Sequence, residues 1–505
     1  KGELPTDHTS EWLSMAQSYA DMGDWNNAAN AHSVVLDQFL TLLSVRPKEL
    51  ARAKNRMGDA AAALATALER VEFAERSDRT ALLRRLALAL SVLGKPQEAK
   101  SRLREALTNV QADVADAKDE FRKNVILLGA DDLLGVALRI EFPPQDLFRT
   151  TFRALRGFET PELGENTAGC TVRVHTTRVA SAVGVSSPLA GPRWRPGTAS
   201  HELARTLVAF RTLANKDYAE WVKTRTIPRS FSSWNVLLRR LVGQLGLEGV
   251  GAAIGDARRL VLELDGTSLH LPVAGLIVQA TSALKAVAVT TILPVEAPNT
   301  LPVPNTDDAL VAINCFARSD PLHEAFRQLV IATGPAEYVD CSRGEDFRRA
   351  LERPARLVLI GAHGDQSGVT GALSLAVGGA NVPVVSLLDD LRLPRASTIF
   401  CLTCFAGSGF LTSSGHWSSL PGILMAAGAR TVVANRWPAW DEAQTHADMR
   451  GLLSELRSSA SQPDAWPAAE AVTSYVRKCH AKYGDPRQWA GWAAWSLLRW
   501  LPQHE

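Results

Sequence analysis

Two apolar runs of the sequence end in residue types suited to thiol chemistry. Leu357-Val358-Leu359-Ile360 leads directly into Gly361-Ala362-His363-Gly364, and Thr398-Ile399-Phe400-Cys401-Leu402-Thr403 leads into Cys404-Phe405-Ala406-Gly407. Short continuous apolar runs of this kind mark strands covered on both faces of a parallel sheet. Such sheets carry their sites at the carboxyl ends of the strands, where His363 and Cys404 both fall. An imidazole beside a thiol favours the thiolate, which attacks a carbonyl; the imidazolium then protonates the leaving amine. Backbone amides of Gly364 and Cys404, in tight turns, are the expected oxyanion hole. Gly364 and Gly407 leave room for a substrate backbone. Cys170, Cys315, Cys341, Cys401 and Cys479 read instead as packing residues, since free cysteine is commonly buried. The single CxxC, Cys401 to Cys404, has no second ligand pair nearby, so a structural zinc site is not expected.

The elements that must position these residues are legible around them. Leu310–Asn314, Tyr338–Asp340 and Thr431–Asn435 are further strand-like runs, and Leu322–Ile331 and Gly344–Leu351 are helix-like. Thr171–Thr176 alternates with period two and reads as a strand. Pro188–Gly197 reads as a loop, and helical segments follow at 201–222 and 234–245. Asp265-Gly266 resembles the turn of a hairpin. The segment from Gly249 to Gly255 has glycines in the wrong context for a dinucleotide loop. Four prolines between Leu293 and Pro304 mark a boundary. Trp489, Trp492, Trp495 and Trp500 suggest a helical stripe used for packing.

From Ser10 to Ala117 the chain is rich in helix formers and reads as helical hairpins. Gly23 and Gly94 lie 71 residues apart, close to two periods of about 34. With the small residues Ala28 and Ala99 and the large Trp12, these offsets resemble the tetratricopeptide repeat, with a degenerate middle unit near Pro47–Glu75. This region offers a surface for packing or partner recognition and no visible chemistry.

The whole chain has 505 residues, 46% hydrophobic and 21% charged, with a formal charge of +2. That is a folded composition with no global basic excess to drive nucleic-acid or membrane binding. Lys1–Asp7 shows no apolar signal core, and Leu269–Val295 is interrupted by Pro272 and Lys285. A cytoplasmic protein is expected.

The series Leu357–Gly364, Leu373–Leu375, Leu387–Leu391, Ile399–Gly409 and Ala426–Trp437, closed by Trp489-Ala490-Gly491-Trp492, resembles the CHAT family over about Arg259 to Trp492. These are caspase-like cysteine peptidases of clan CD, relatives of separase. The resemblance implies a caspase-like three-layer α/β fold with a mostly parallel sheet, preceded by an all-helical, tetratricopeptide-like region. It divides the chain into helical repeats at 1–130, a linker with a degenerate caspase-like half at 131–304, and an active half at 305–505. It assigns His363 as base and Cys404 as nucleophile, with no cofactor. Metacaspases carry an acidic residue two before the nucleophile, where this chain has Leu402. The separase-like position after the third strand is Asp441, and Asp365 is a second acidic candidate for a basic P1 side chain. Asp441 also reads as a helix N-cap. The family implies limited proteolysis of a protein partner, such as a gasdermin-like pore former, in bacterial antiviral defence or cell death. A regulatory protein or ligand would act on the helical repeats. A catalytically silent scaffold and another thiol hydrolase are the alternative readings.

Overall fold

A computed structural model of the chain describes residues 9–45, 47–73, 75–118, 123, 126, 130, 132–156, 170–176, 181–187, 190–197, 200–224, 230–248, 250–254, 257–266, 271–280, 288–292, 310–366, 373–387, 391–394, 396–404, 406–407, 409–411, 417–436, 443–496 and 501. The first described region is entirely helical: α1 (Thr9–Asp21), α2 (Trp25–Val45), α3 (Pro47–Arg70), α4 (Arg76–Val92), α5 (Pro96–Asp116), α6 (Asp132–Ile140) and α7 (Asp146–Arg156). Two of its turns are copies of one another. Gly23 and Gly94 adopt φ of 76° and 80°, a left-handed conformation that costs glycine little. Asp24 N–H donates to Tyr19 O and Lys95 N–H to Leu90 O, each at 2.9 Å. The second turn repeats the first with an offset of 71 residues, so the spacing seen in sequence is a spacing of hairpins. Ala28 and Ala99, again 71 apart, are both fully buried where paired helices approach. The middle unit is helical as well, as α3.

The remainder is a mixed sheet flanked by helices. Its strands are β1 (Cys170–Thr176), β2 (Ser181–Ser187), β3 (Ala190–Pro196), β4 (Arg259–Gly266), β5 (Ala288–Ile292), β6 (Leu310–Asn314), β7 (Glu337–Asp340), β8 (Leu357–Gln366), β9 (Leu373–Val377), β10 (Ala380–Pro383), β11 (Thr398–Thr403), β14 (Thr431–Asn435) and β15 (Trp492–Ser496). A separate two-stranded ribbon joins β12 (Gly409–Leu411) to β13 (Trp417–Ser419). The helices are α8 (Ser200–Thr224), α9 (Phe231–Gln244), α10 (Val250–Ile254), α11 (Val273–Ala280), α12 (Pro321–Thr333), α13 (Gly344–Leu351), α14 (Val384–Leu387), α15 (Leu420–Ala426), α16 (Ala443–Ala460), α17 (Trp466–Tyr483) and α18 (Pro486–Trp489). Among the described residues no helix is long and apolar enough to cross a membrane.

Two parallel blocks meet in this sheet. Strands β7, β6, β8, β11 and β14 run parallel, as do β15, β5, β4 and β1. The blocks oppose each other where β14 pairs antiparallel with β15. The carboxyl-terminal strand β15 is therefore the seam, joining β5 through Trp495↔Thr291 and Ser496↔Ile292. The parallel strands are buried on both faces, as their unbroken apolar runs require: β6, β14, β15 and β5 are buried at every residue.

Three sequence expectations are corrected. The tryptophans do not share one helical stripe: Trp489 ends α18, Trp500 lies outside the described residues, and Trp492 and Trp495 lie three apart on a strand and so face opposite sides of the sheet. Trp492 stacks on Phe400 with centroids 5.5 Å apart, while Trp495 packs against Gly407 and the Arg436 guanidinium. Each ring removes roughly 150–250 Å² from water, about 4–6 kcal/mol gross at ~25 cal/mol per Å². The rings do pack, but from a strand. Asp265-Gly266 is strand where a turn was expected, because β4 runs through Gly266 in register with β1; residues 267–270 lie outside the described residues. Ala190–Pro196, expected as loop, forms β3 because it lies at the outer edge of the sheet, where prolines are tolerated.

Candidate active site

The register of β8 and β11 sets the site. The two strands pair in parallel from Leu357↔Thr398 to Ala362↔Thr403. The next residue of β8 is His363, and the turn residue that follows β11 is Cys404. The register therefore brings both residues to the same end of the sheet.

β8 does not turn at Gly364, as the sequence suggested; it continues as strand to Gln366. Up to Gly361 its outer neighbour is β6, and from His363↔Ala376 onward its neighbour is β9. The loop after β6 sits at this exchange of partners. Cys315 N–H donates to Gly361 O at 2.8 Å, and Gly378 N–H to Cys315 O at 3.0 Å, tying that loop to both neighbours.

This loop supplies two contacts that sequence reasoning missed. The Phe316 ring meets the His363 imidazole edge-on, with centroids 5.0 Å apart and planes at 77°. Asp320 Oδ2 lies 2.6 Å from His363 Nε2. Asp320 also caps α12, its Oδ1 accepting from Leu322 N–H at 2.8 Å. The only sequence signal is Asp320-Pro321 ahead of an apolar helix, an ordinary helix start. α12 is seated by Phe326, whose ring fills the space that a Cβ on Gly361 would occupy, at only 2.5 Å from such an atom.

Cys404 differs from the other cysteines. It is half-buried, whereas Cys170, Cys315, Cys341, Cys401 and Cys479 are buried. Burial pushes the Cys170 and Cys479 thiols up to about 11 and raises Cys401 further. Cys315 is also raised, first by its hydrogen bond with Cys341 and then by burial. All five lie out of solvent, and these four are held protonated, as a packing role requires.

The segment after Cys404 folds onto the end of β14. Gly407 N–H donates to Asn435 O at 2.7 Å, and a Cβ there would meet Trp495 at 2.6 Å. Arg436, the residue after β14, is buried with its guanidinium 4.9 Å from the Trp495 ring; burial lowers it to about 9.

Of the acidic candidates, Asp365 is exposed on β8 two residues beyond His363, and thus on the same side of the strand. Asp441 lies outside the described residues. Leu402, at the position that is acidic in metacaspases, is partly buried in β11. His363 and Asp320 side chains are 41% and 21% exposed, so the pair is open to solvent from one side.

An all-helical array followed by a largely parallel sheet between helices defines a caspase-like α/β fold. A family model for the CHAT domain matches residues 235–496, just over half of the sequence. The chain belongs to the CHAT domain family. Among solved structures it is similar to the Saccharomyces cerevisiae separase–securin complex at 2.6 Å resolution. The TM-score is 0.50 and the identity 8%, covering 97% of this chain and 46% of the other. The 3.0 Å structure of the same complex gives 0.46 and 9%, covering 97% and 48%. The chain thus spans about half the length of the solved chains it matches, and at these identities the likeness is one of fold. Among curated proteins none matches.

Proposed function

We propose that the chain is a cysteine endopeptidase in which His363 and Cys404 form the catalytic dyad. The observation that supports the reading is the β8–β11 register, whose last pair, Ala362↔Thr403, immediately precedes His363 and Cys404, with Cys404 the one cysteine that is not buried. Nδ1 of His363 takes the proton from the Cys404 thiol. The thiolate adds to the peptide carbonyl, and the developing oxyanion is met by the backbone N–H groups of Gly364 and Cys404. The imidazolium gives its proton to the leaving amine, and water then hydrolyses the thioester with His363 again as base. No step calls on a cofactor.

Asp365, and Asp441 by family resemblance, are the carboxylates proposed to meet an Arg or Lys side chain at P1. The substrate is a protein partner cleaved at few sites, a gasdermin-like pore former being one, in a cytoplasmic defence or cell-death setting. The tetratricopeptide-like helical hairpins are the docking region for a regulator. The matched separase was solved with a protein partner, securin, which accords with a chain that works through protein contacts.

A peptidyl acyloxymethyl ketone ending in Arg or Lys tests the reading. Covalent labelling of the parent chain at Cys404, abolished in Cys404→Ala and His363→Ala, is the expected result. Equal labelling of Cys404→Ala would exclude the assigned nucleophile. Loss of preference for basic probes in Asp365→Asn or Asp441→Asn would separate the two pocket candidates.

A further inference from the structure

We infer that Asp320 is the positioning residue of this site: its carboxylate holds the His363 imidazole with the proton on Nε2 and leaves Nδ1 as the base for Cys404. The consequence for turnover rests on the peptidase reading above; the geometry does not.

An N-cap needs one acceptor, and Ser, Thr, Asn and Asp serve nearly equally. Asp320 spends Oδ1 on that task, taking the Leu322 N–H at 2.8 Å. Its second oxygen lies 2.6 Å from His363 Nε2, a contact capping does not require. A carboxylate can only accept, so Nε2 must carry the proton both before and after the ring is charged. The neutral ring therefore has its lone pair on Nδ1. When Nδ1 takes the thiol proton, the new positive charge forms 2.6 Å from a carboxylate that is only 21% exposed.

The same carboxylate sits at the positive end of the 13-residue helix α12, which favours its ionised form. It is also held rigidly. Pro321 fixes the first turn, Phe326 locks the helix over Gly361, and Phe316 bounds the imidazole on its edge. Among the described residues Asp320 and Phe316 contact His363, the exposed Asp365 lies two residues on along its own strand, and Cys404 follows the last β8–β11 pair. Of these, Asp320 is the one that brings a carboxylate oxygen to hydrogen-bond distance from the ring.

Two substitutions separate positioning from capping. Asp320→Ser retains an effective cap but is too short to reach the ring. Asp320→Asn retains cap and size, and its amide can donate to Nε2, which favours the proton on Nδ1 instead. Both are expected to unfold near the parent's midpoint in urea while kcat falls about 10²- to 10⁴-fold and KM changes less than about threefold, the range for loss of an imidazole-orienting carboxylate. Asp320→Glu is expected to recover part of kcat. The structural readout is independent of turnover: long-range ¹H–¹⁵N spectra of ¹⁵N-histidine protein, with His363 identified from His363→Ala, should show the Nε2–H tautomer in the parent and its loss in Asp320→Asn. An unchanged His363 tautomer in Asp320→Asn overturns the inference whether or not the chain is a peptidase. A kcat within threefold of the parent in both variants overturns it as well. A parent that neither cleaves nor labels at Cys404 defeats the peptidase reading alone, and the spectra still decide on Asp320.

Discussion

A Cβ placed on Gly364 would lie 2.0 Å from the carbonyl oxygen of Cys404 and 2.8 Å from Cγ2 of Thr403. Glycine at 364 therefore sets how closely the ends of β8 and β11 approach, and with it the spacing of His363 and Cys404. The obstacle at 2.0 Å is backbone, so no side-chain rotation relieves it. Gly364→Ala should part the two strand ends, costing about 1–3 kcal/mol of stability and roughly 100-fold or more in kcat/KM, since displacements near 1 Å carry that penalty. Gly451→Ala is the control. It has open space around it on α16 and should stabilise by about 0.5–1 kcal/mol with turnover unchanged. Urea midpoints and peptide turnover measured together check both; full activity in Gly364→Ala would show that the strand ends are not tightly set.

The contrast between Cys404 and the other cysteines should be visible without any substrate. Iodoacetamide at pH 8 is expected to alkylate Cys404 in the folded chain about tenfold or more faster than any other thiol, because the rest are buried and several are held protonated. Peptide mapping by mass spectrometry gives the order directly, with all six labelled after unfolding. Alkylation of Cys401 or Cys315 at the rate of Cys404 in folded protein would contradict the packing described for β11 and β6.

Much of this architecture is legible in the sequence because buried parallel strands leave unbroken apolar runs. Leu357–Ile360 and Thr398–Thr403 announce both strands, with His363 and Cys404 just beyond these runs. The 71-residue offset of Gly23 and Gly94 likewise betrays a repeated turn, since a left-handed residue is a local demand. What stays hidden depends on which elements become neighbours. Asp320 lies 43 residues before His363, and as a helix cap it carries no sign of the second partner on its other oxygen. Trp492 and Trp495 suggest a helix because three-residue offsets suit one; only their pairing with β14 shows them on opposite faces of a strand. Gly364 stands out in sequence as a turn residue, when its constraint is in fact the chain across from it.

Burial of Cys401 makes a prediction about pH. Its folded-state thiol is raised well above the ordinary value by desolvation alone. The unfolded thiol ionises near about 8.5, so above that pH the unfolded chain sheds a proton that the folded chain keeps. The stability this group contributes is complete below about pH 8.5 and is lost as pH rises toward the folded value, by about 1.4 kcal/mol per pH unit. Comparing the parent with Cys401→Ala cancels every other titrating group. The parent's advantage in unfolding free energy should shrink by about 1–2 kcal/mol between about pH 8 and pH 10. A difference that stays constant over this range would mean that Cys401 is not desolvated.

A buried ion pair lies beside the segment that enters the seam strand β15. Arg487 on α18, 2% exposed, donates to Asp217 of α8 at 2.9 Å, to the Ser230 hydroxyl at 3.1 Å and to Asp485 at 2.6 Å. Asp217, equally buried, also accepts from Trp234 Nε1 at 2.7 Å. This cluster ties α8 and α9 to the segment that enters β15, the strand joining the two parallel blocks. Removing one member strands the others away from water, so Arg487→Ala should cost about 3–5 kcal/mol, while replacing Arg487 and Asp217 together with apolar residues should cost clearly less. Arg349→Ala, which breaks an exposed pair with Glu345, should stay within about 0.5 kcal/mol. The charges at 487 and 217 would then serve the union of the two blocks only as a matched pair. Equal losses for the single and the paired replacement would show instead that the shape of Arg487, and not its charge, holds α18 against α8.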